Sequence, residues 1–454
     1  MKSVPALAIF VFVTSSSTDA AELRVGQGAQ FPTIQGAIAN AQPGDVVVVQ
    51  PGIYEGNLAL DKTVKLVGVG RPLIRGTGSG SIITMRAPDC VLQGFCIEHS
   101  GGSLIDEDSG ILLHSSGNRL IDNELRDVLF GIYFYQSNDN VVRGNTVYGR
   151  KQLEQGERGA GLHFWNCLRN TIEGNTISGT RDGMYLQNAS DSAIRHNRIS
   201  DVRYGLHYMY SNDNIFEDNV FENNVAGAAI MYSTRIQLRR NQFLHNRGFS
   251  SFGILFQDST AIVVEQNIIA DNGAGVFAEA LRGSRFRRNL ISGNDIALEM
   301  FASADGNEFS ENNFIANLTP IHVVGRTTAS RWTSDGRGNY WSEYDGYDLD
   351  GDGIGDVPFH IQNLYEKLEG NHPRLRLYFQ SPAAQALIAA ERAFPIMRTA
   401  AETDLRPLMR PADIGVTLPA PQRSRVPEKA AGAAGIAASV LAGALLIKRK
   451  GAFL

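Results

Sequence analysis

Three side chains near the middle of the sequence have the types that bind a soft metal ion. His207 and Met209 are two residues apart, so on a β-strand they share a face, and Met231 follows Met209 by 22 residues. Thioether sulfur and imidazole nitrogen favour Cu(I). If 22 residues form one turn of a stacked strand structure, the methionines lie ~4.8 Å apart and can converge with His207 on one ion. Two alternatives stay open: the residues dock a partner protein, since methionine provides adaptable apolar contact, or they have no role.

A second group of candidate ligands lies in the sequence YDLDGDGIGD. Asp348, Asp350, Asp352 and Asp356 follow the pattern of loops that place carboxylates around a hard cation, with glycine at the tight bend. We predict a structural calcium ion here. The bidentate Glu of an EF-hand is absent, because Phe359 stands at the twelfth position. An Asp-Gly turn cluster without metal is the alternative.

The elements that position these residues come from a repeat. An Asn in an Asn-x-apolar pattern returns at spacings of 22, 30, 22, 22, 22, 26, 22 and 24 residues. Each unit holds short β-rich pieces separated by Gly, Asn, Ser and Asp, which predicts three strands and three turns. Such a unit is one rung of a right-handed parallel β-helix, an all-β fold; a leucine-rich repeat would need Leu and a helix. The marker residues are Asn123, Asn145, Asn175, Asn197, Asn219, Asn241, Asn267, Asn289 and Asn313.

The register relative to the marker predicts which side chains face inward. Positions 13 and 11 before each marker are apolar, as at Leu162 and Phe164, and form the predicted core. Positions 12 and 10 before it must then face solvent. An outward row of aromatic and soft ligand-type residues is typical of a binding surface. We call the following eight residues the outward stripe: Tyr133, Tyr135, His163, Trp165, Tyr185, His207, Met209 and Met231.

The N-terminal region predicts export and a capped β-helix. Residues 1–20 contain one Lys, the apolar run VPALAIFVFV and small residues, the pattern of a signal peptide. A net charge of -5 argues against a nucleic-acid partner. A helix from Pro32, with Ile34, Ala37 and Ile38 on one face, would cover the open end of the core. We assign residues 21–365 to the β-helix, with regular rungs at about 111–321 and an Asp-rich closing loop at 338–359.

The cysteine count leaves two interpretations open. Cys90, Cys96 and Cys167 form an odd set in an exported protein. Cys90 and Cys96 could form a disulfide, or all three could be buried core thiols. Cys167 is also a weak candidate metal ligand.

The C-terminal region divides into three predicted segments. Residues 366–398 include a helical stretch, which packs on the β-helix or contacts a partner. Residues 399–429 are Pro-rich and predict a linker. Residues 430–454 contain an uncharged Ala-rich run with a basic end, which predicts a membrane helix attached to the inner membrane. A peripheral helix or a removable sorting signal is the alternative to the membrane helix.

Several of these features together resemble the NosD family. They are GDVVVVQPGIYEG, the Asn-marked rungs, GNYWSEYDGYDLDGDGIGDVPF at 338–359 and SPAAQALIAAERAFP at 381–395. The resemblance implies a periplasmic accessory protein that takes part in assembling the copper clusters of nitrous oxide reductase, with copper as transient cargo. It also implies as partners an ABC-type ATPase and permease, a copper-carrying lipoprotein and the reductase itself, and contact of the C-terminal helical segment with the permease.

Glycan chemistry is the main alternative. A β-helix that cleaves or epimerises polysaccharide needs acid and base groups within several ångströms of each other. The outward positions offer Glu279 with His163 or His207, on rungs too far apart. We therefore predict that the protein is not an enzyme. Because its aromatic residues could stack on sugars, a glycan-binding or carbohydrate-processing protein is the second hypothesis, and a surface-adhesion scaffold is the third.

Overall fold

The predicted all-β, right-handed parallel β-helix is confirmed. The computed structural model describes residues 20–325, 328–361, 368, 373–378, 381–393 and 402–415. Three parallel sheets wind together as a right-handed solenoid of about 14 turns. We call the three sheets A, B and C. One turn of the solenoid, or rung, contributes one short strand to each sheet in that order, and each strand pairs with the equivalent strands of the neighbouring rungs.

The strands of the three sheets have the following bounds. Sheet A contains Glu22–Val25, Val46–Val49, Lys65–Gly68, Val91–Gln93, Arg119–Ile121, Val141–Arg143, Thr171–Glu173, Ala193–Arg195, Ile215–Glu217, Gln237–Arg239, Val263–Glu265, Arg285–Arg287 and Glu308–Ser310. Sheet B contains Ile53–Glu55, Leu73–Arg75, Cys96–Glu98, Glu124–Val128, Thr146–Gly149, Thr176–Ser178, Arg198–Ser200, Val220–Glu222, Gln242–Leu244, Ile268–Ala270, Leu290–Ser292, Asn313–Ile315 and Tyr340–Trp341. Sheet C contains Leu58–Leu60, Ile83–Met85, Ser109–Leu113, Phe130–Tyr135, Leu162–Leu168, Asp182–Ser190, Tyr204–Met209, Ala226–Met231, Phe252–Gln257, Ala274–Glu279, Ile296–Phe301 and Thr319–Val324.

The core is built from columns of equivalent residues. Leu162 pairs with Met184 and Phe164 with Leu186 in neighbouring strands of sheet C. All four are at most 2% exposed. The predicted inward positions are therefore confirmed. At the start of these strands glycine is required by a close approach: a Cβ on Gly183 would lie 2.6 Å from the Gly205 carbonyl oxygen of the next rung.

Buried asparagines connect the rungs at the turn between sheets A and B. Asn219 donates from its side chain to the Ile194 carbonyl at 2.9 Å and to Asn241 Oδ1 at 2.9 Å. It accepts in turn from the backbone and side chain of Asn197 at 3.0 and 2.9 Å. The same bonds recur along the solenoid and leave few buried amide groups unpaired.

The structure corrects the marker at the end of this ladder. Asn289 donates to Asn312, not to the predicted marker Asn313, and Asn312 donates to Asn339. Asn313 lies outside the ladder. Its side chain instead donates to the Ala412 carbonyl and accepts from the Ala412 amide.

Two further ladders were missed by the sequence analysis. One lies at the turn between sheets C and A and joins Asn118, Asn140, Asn170, Ser192 and Asn214. The other lies at the turn between sheets B and C and joins Asn224, Asn246, Asn272, Asn294 and Asn317. Every corner of the solenoid therefore has rung-to-rung side-chain hydrogen bonds over part of its length.

Helix α1 (Ile34–Asn40) caps the N-terminal end, as predicted. Thr33 caps the helix by accepting from the Gly36 amide at 3.2 Å. Ile34, Ala37 and Ile38 are buried against the first rung.

The three cysteines form no disulfide: Cys90, Cys96 and Cys167 are free and buried. Cys96 Sγ accepts a hydrogen bond from Arg126 at 2.6 Å and forms no disulfide.

The predicted linker at 399–429 is wrong over residues 402–415. The strand Thr403–Asp404 pairs antiparallel with Phe359–His360. Asp404 is fully buried and accepts from the backbone and side chain of Asn339 at 2.7 and 3.2 Å. Asp404 thus occupies the place of the next ladder asparagine and ends the ladder. Proline composition suggested a linker, but this segment closes the solenoid.

The remaining C-terminal predictions are covered only in part. A 3-10 helix spans Pro373–Tyr378 and helix α2 spans Pro382–Ala393. Among the described residues, no helix has the length and apolar character needed to cross a membrane. The predicted signal peptide at 1–20 lies outside the described residues except for residue 20, and the predicted membrane helix at 430–454 lies outside them entirely.

The asparagine ladder gives the first testable prediction. Asn219→Ala should lower the free energy of unfolding by about 3 kcal/mol, because it leaves polar groups of Asn197 and Ile194 buried without partners. Urea titration followed by circular dichroism measures this. The control is Gln242→Ala, at a half-buried outward position of the next rung. It should change the free energy of unfolding by less than about 0.5 kcal/mol. Equal effects of the two substitutions would contradict the structural role of the ladder.

Candidate functional site

The outward stripe lies on sheet C as two columns. The first column contains Tyr133, His163, Tyr185 and His207, paired strand to strand in register. The second contains Tyr135, Trp165, Met209 and Met231, with Gln187 between Trp165 and Met209. Strict pairing places each side chain directly beside its equivalent, ~4.8 Å away along the solenoid.

The stripe is less open to solvent than the sequence indicates. Tyr133 is 1% exposed, so its predicted outward exposure is wrong. Leu129, Phe130 and Ala160 pack with it in a second apolar cluster outside the main core. Its hydroxyl donates to Glu107, and burial raises the pKa of Tyr133 well above its usual value. Added residues before the sheet C strands of these rungs cover this end of the stripe.

His163 lies in a row of rings. Its ring stacks on Tyr133 with centroids 4.4 Å apart and contacts Tyr185 at 4.6 Å. Burial lowers the pKa of His163 to about 3, so the ring is neutral at physiological pH. Both ring nitrogens are buried and have no hydrogen-bond partner among the described residues. His163 therefore stabilises the aromatic row chiefly by stacking.

His207 is held by a buried carboxylate that the sequence analysis missed. Asp182 Oδ2 lies 3.0 Å from His207 Nδ1. Asp182 also accepts two hydrogen bonds from Arg203, at 2.9 and 2.8 Å, and its side chain is fully buried. Burial opposes ionisation, but hydrogen bonds from His207 and Arg203 outweigh it and lower the pKa of Asp182 to about 2. The carboxylate is therefore ionised.

A sequence signal for Asp182 exists. Asp182 pairs with Tyr204 and Tyr204 with Ala226, so this position forms a third outward column at the start of sheet C. A charged residue in a column of apolar ones needs partners. Arg203 immediately precedes the equivalent position one rung later and could have been identified from the repeat alone.

Met209 and Met231 are direct neighbours, as predicted. They pair in register on adjacent strands, and both are half-buried. His207 lies two residues before Met209 on the same strand and pairs with Ala229. The structure thus brings one imidazole and two thioethers to one part of sheet C. These are ligand types that suit Cu(I).

The Asp loop forms a separate candidate metal centre near the C-terminal end. One carboxylate oxygen each of Asp348, Asp350 and Asp352 lies within 4.8 Å of the others. Asp356 stands outside this group, and its carboxylate accepts from the Leu349 amide at 2.7 Å. Desolvation opposes ionisation of Asp348, but hydrogen bonds from the Gly353 and Gly351 amides together outweigh it and lower the pKa of Asp348. Three anionic oxygen donors on a tight loop fit a hard cation such as calcium.

These features define a class of protein: a parallel β-helix with a half-buried row of aromatic, imidazole and thioether side chains on one sheet. Solved structures share the fold. The A-module of the Azotobacter vinelandii mannuronan C-5 epimerase AlgE6 has a TM-score of 0.56 and 15% identity, covering 66% of this chain and 93% of that chain. The catalytic domain of a GH87 alpha-1,3-glucanase has a TM-score of 0.54 and 9% identity, covering 75% of this chain and 71% of that chain. Such low identities show the fold alone.

Sequence comparison establishes the family. The family described as periplasmic copper-binding protein (NosD) matches residues 73–157 and 149–346. The probable ABC transporter binding protein NosD of Pseudomonas aeruginosa is 31% identical over 375 residues, which is 79% of this chain and 87% of that protein. The protein of the same description from Stutzerimonas stutzeri is 28% identical over 376 residues, 79% of this chain and 85% of that protein. The chain therefore belongs to the NosD family.

The Asp loop gives a second prediction. If it binds calcium, excess calcium should raise the melting temperature and chelator should lower it, because an ion that binds only the native state stabilises by ~2.7 kcal/mol at a hundredfold excess over Kd. Asp350→Ala should abolish the difference between calcium and chelator. Asp345→Ala, at an exposed position outside the group, should retain it. Melting curves of the unaltered protein that coincide with and without calcium would reject the ion.

Proposed function

We propose that this protein is a periplasmic accessory protein for maturation of nitrous oxide reductase. It acts with an ABC-type ATPase and permease to assemble the copper clusters of the reductase, and it contacts a copper-carrying lipoprotein. Membership of the NosD family supports the proposal, since the family is described as periplasmic and copper-binding and two relatives are described as probable ABC transporter binding proteins. The observation that carries it is the cluster of His207, Met209 and Met231 on sheet C.

The outward stripe has two roles in this proposal. At one end, Met209 and Met231 with His207 contact copper as a transient cargo. Along the rest, half-buried rings such as Trp165 and Tyr185 and the exposed Tyr135 offer rigid apolar area to a partner protein. The β-helix holds the copper-contacting residues and the aromatic residues at fixed distances from each other. A docked carrier or reductase therefore meets the copper ligands at a defined place.

The protein binds rather than catalyses in this proposal. The carboxylate that lies closest to a stripe histidine is Asp182, which is fully buried and engaged with Arg203. A general acid for glycoside chemistry needs a raised pKa and access to the substrate, whereas the pKa of Asp182 is lowered to about 2 by its hydrogen bonds despite burial. This arrangement favours a positioning role over the alternative of carbohydrate processing.

The third prediction concerns membrane attachment. We propose that a signal peptide at 1–20 directs export and that residues 430–454 attach the protein to the inner membrane. A chain that ends at residue 415 keeps the closing segment and should move from the membrane fraction to the soluble periplasmic fraction when the ABC subunits are absent. If that shortened chain still sediments with membranes, the tail is not the anchor.

The fourth prediction tests the copper contact. Met209→Ala combined with Met231→Ala should abolish Cu(I) binding by the purified protein, measured by competition with a chromophoric Cu(I) chelator. Gln187→Ala combined with Gln257→Ala is a matched control, because these residues flank the methionine pair in the same column. The control should bind Cu(I) as the unaltered protein does.

Other outcomes of this experiment separate the two roles of the stripe. If the methionine variant retains Cu(I) but captures the reductase or the copper carrier more weakly, the methionines serve docking and not copper contact. If both properties are unchanged, the stripe is not the functional site.

A further inference from the structure

We propose that Asp182 is a positioning residue that holds the proton of His207 on Nδ1 and thereby presents Nε2 as a Cu(I) ligand beside Met209 and Met231. This inference rests on the proposed function, since it assigns a geometry to the copper contact. It adds a residue from a different rung, whose role is to orient a ligand rather than to touch the ion.

The hydrogen bond between Asp182 and His207 has one direction. His207 Nδ1 faces two groups: Asp182 Oδ2 at 3.0 Å, which accepts because Arg203 pairs with both carboxylate oxygens, and the Arg203 guanidinium at 3.4 Å, which only donates. The contact with the carboxylate is the shorter of the two, and it places the proton on His207 Nδ1. In the neutral ring, Nε2 then has a free lone pair. Histidines that bind metals commonly donate their other N–H to a carboxylate, which fixes the tautomer and the ring orientation. The contact seen here has that form.

The surroundings of Asp182 keep it in this role. Arg203 makes two hydrogen bonds to the carboxylate, and Arg181 lies 3.6 Å from it. The Arg203 guanidinium also lies 4.4 Å above the Tyr204 ring, which limits its movement. The Asp182 side chain is fully buried and the His207 side chain is 14% exposed, so little solvent reaches this contact. The imidazole is also fixed from the side, since Tyr185 and Tyr204 contact it edge-on at 4.7 and 5.2 Å.

The residue beside His207 on the neighbouring rung is small. The equivalent position is Ala229, whose neighbour on the other side is Leu255. Elsewhere in this column stand large side chains such as Tyr185 and Phe277. A small residue next to His207 lets the imidazole and the two thioethers approach one ion. A large side chain at 229 would obstruct that approach without removing any ligand.

The tautomer is tested directly on the copper-free protein. In the full chain with ¹⁵N-labelled histidine, long-range ¹H–¹⁵N correlation spectra should show His207 protonated at Nδ1 and unprotonated at Nε2. In Asp182→Ala this preference should be lost; alanine suits the position because Ala226 occupies it two rungs later. A proton on Nε2 in the unaltered protein overturns the proposal, even if Asp182→Ala does not fold.

Cu(I) affinity provides the second readout. Asp182→Ala should weaken Cu(I) binding about 10–100-fold, and Ala229→Leu should weaken it as well. Glu217→Ala is the control, because it removes a carboxylate that lies on sheet A, one rung after His207, and pairs with Arg195 at 2.8 Å. It should leave the affinity unchanged.

The outcomes distinguish this inference from the proposed function. Cu(I) binding that depends on the two methionines but is unaffected by Asp182→Ala, with the tautomer unchanged, leaves the copper contact standing and rejects the role of Asp182. No measurable Cu(I) binding by the unaltered protein rejects both. An equal loss of affinity in Glu217→Ala shows that the effect of Asp182→Ala is a general loss of structure, and also rejects the positioning role.

Discussion

The hydrogen bonding of asparagine side chains between rungs is the constraint on which the rest of the structure depends. Each short strand contributes few backbone hydrogen bonds, and the turns between strands would bury unpaired amide groups. A side chain such as Asn241 bonds both to Asn267 and to the Phe216 carbonyl, which satisfies donors and acceptors at once. Because a slip of one residue would break this pattern and turn each strand's core face outward, the ladder also fixes the register.

A fixed register turns a linear sequence into columns, and the candidate site follows from this. His207 and Asp182 are 25 residues apart, yet they meet because the sheet C strands of two rungs lie side by side. Met209 and Met231 meet for the same reason. None of these contacts depends on a long loop. A rigid scaffold of this kind fixes the relative positions of these side chains, which would lower the ordering cost of binding in the proposed copper contact.

The repeat could be predicted from the sequence, whereas its exceptions could not. A period near 22 with alternating apolar positions is a local signal, and it identified the fold, the core columns and most of the stripe. Tyr133 was misjudged because it packs with Leu129 and Phe130 of its own rung and with Leu153 and Ala160 of the inserted segment in the next rung, and an insertion carries no periodic signal. Asn313 was chosen over Asn312 because the two are adjacent and each is followed two residues later by an apolar side chain. The strand register and the hydrogen bonds identify Asn312 as the marker. Asp182 was missed because its partners follow one rung later.

The end of the solenoid shows how a non-repeating segment can replace a rung. Asp404 accepts the hydrogen bonds of Asn339 that a further asparagine would accept, and it also accepts from the Trp341 indole at 3.0 Å. From there the chain runs along the Asp loop: Arg406 contacts Asp352 at 3.4 Å, and the Met409 amide donates to the Gly353 carbonyl at 3.1 Å. The last ladder asparagine, the candidate cation loop and the start of the C-terminal tail therefore form one hydrogen-bonded unit. Residues 404–409 are therefore held against the end of the solenoid by side-chain and backbone hydrogen bonds, without a further repeat.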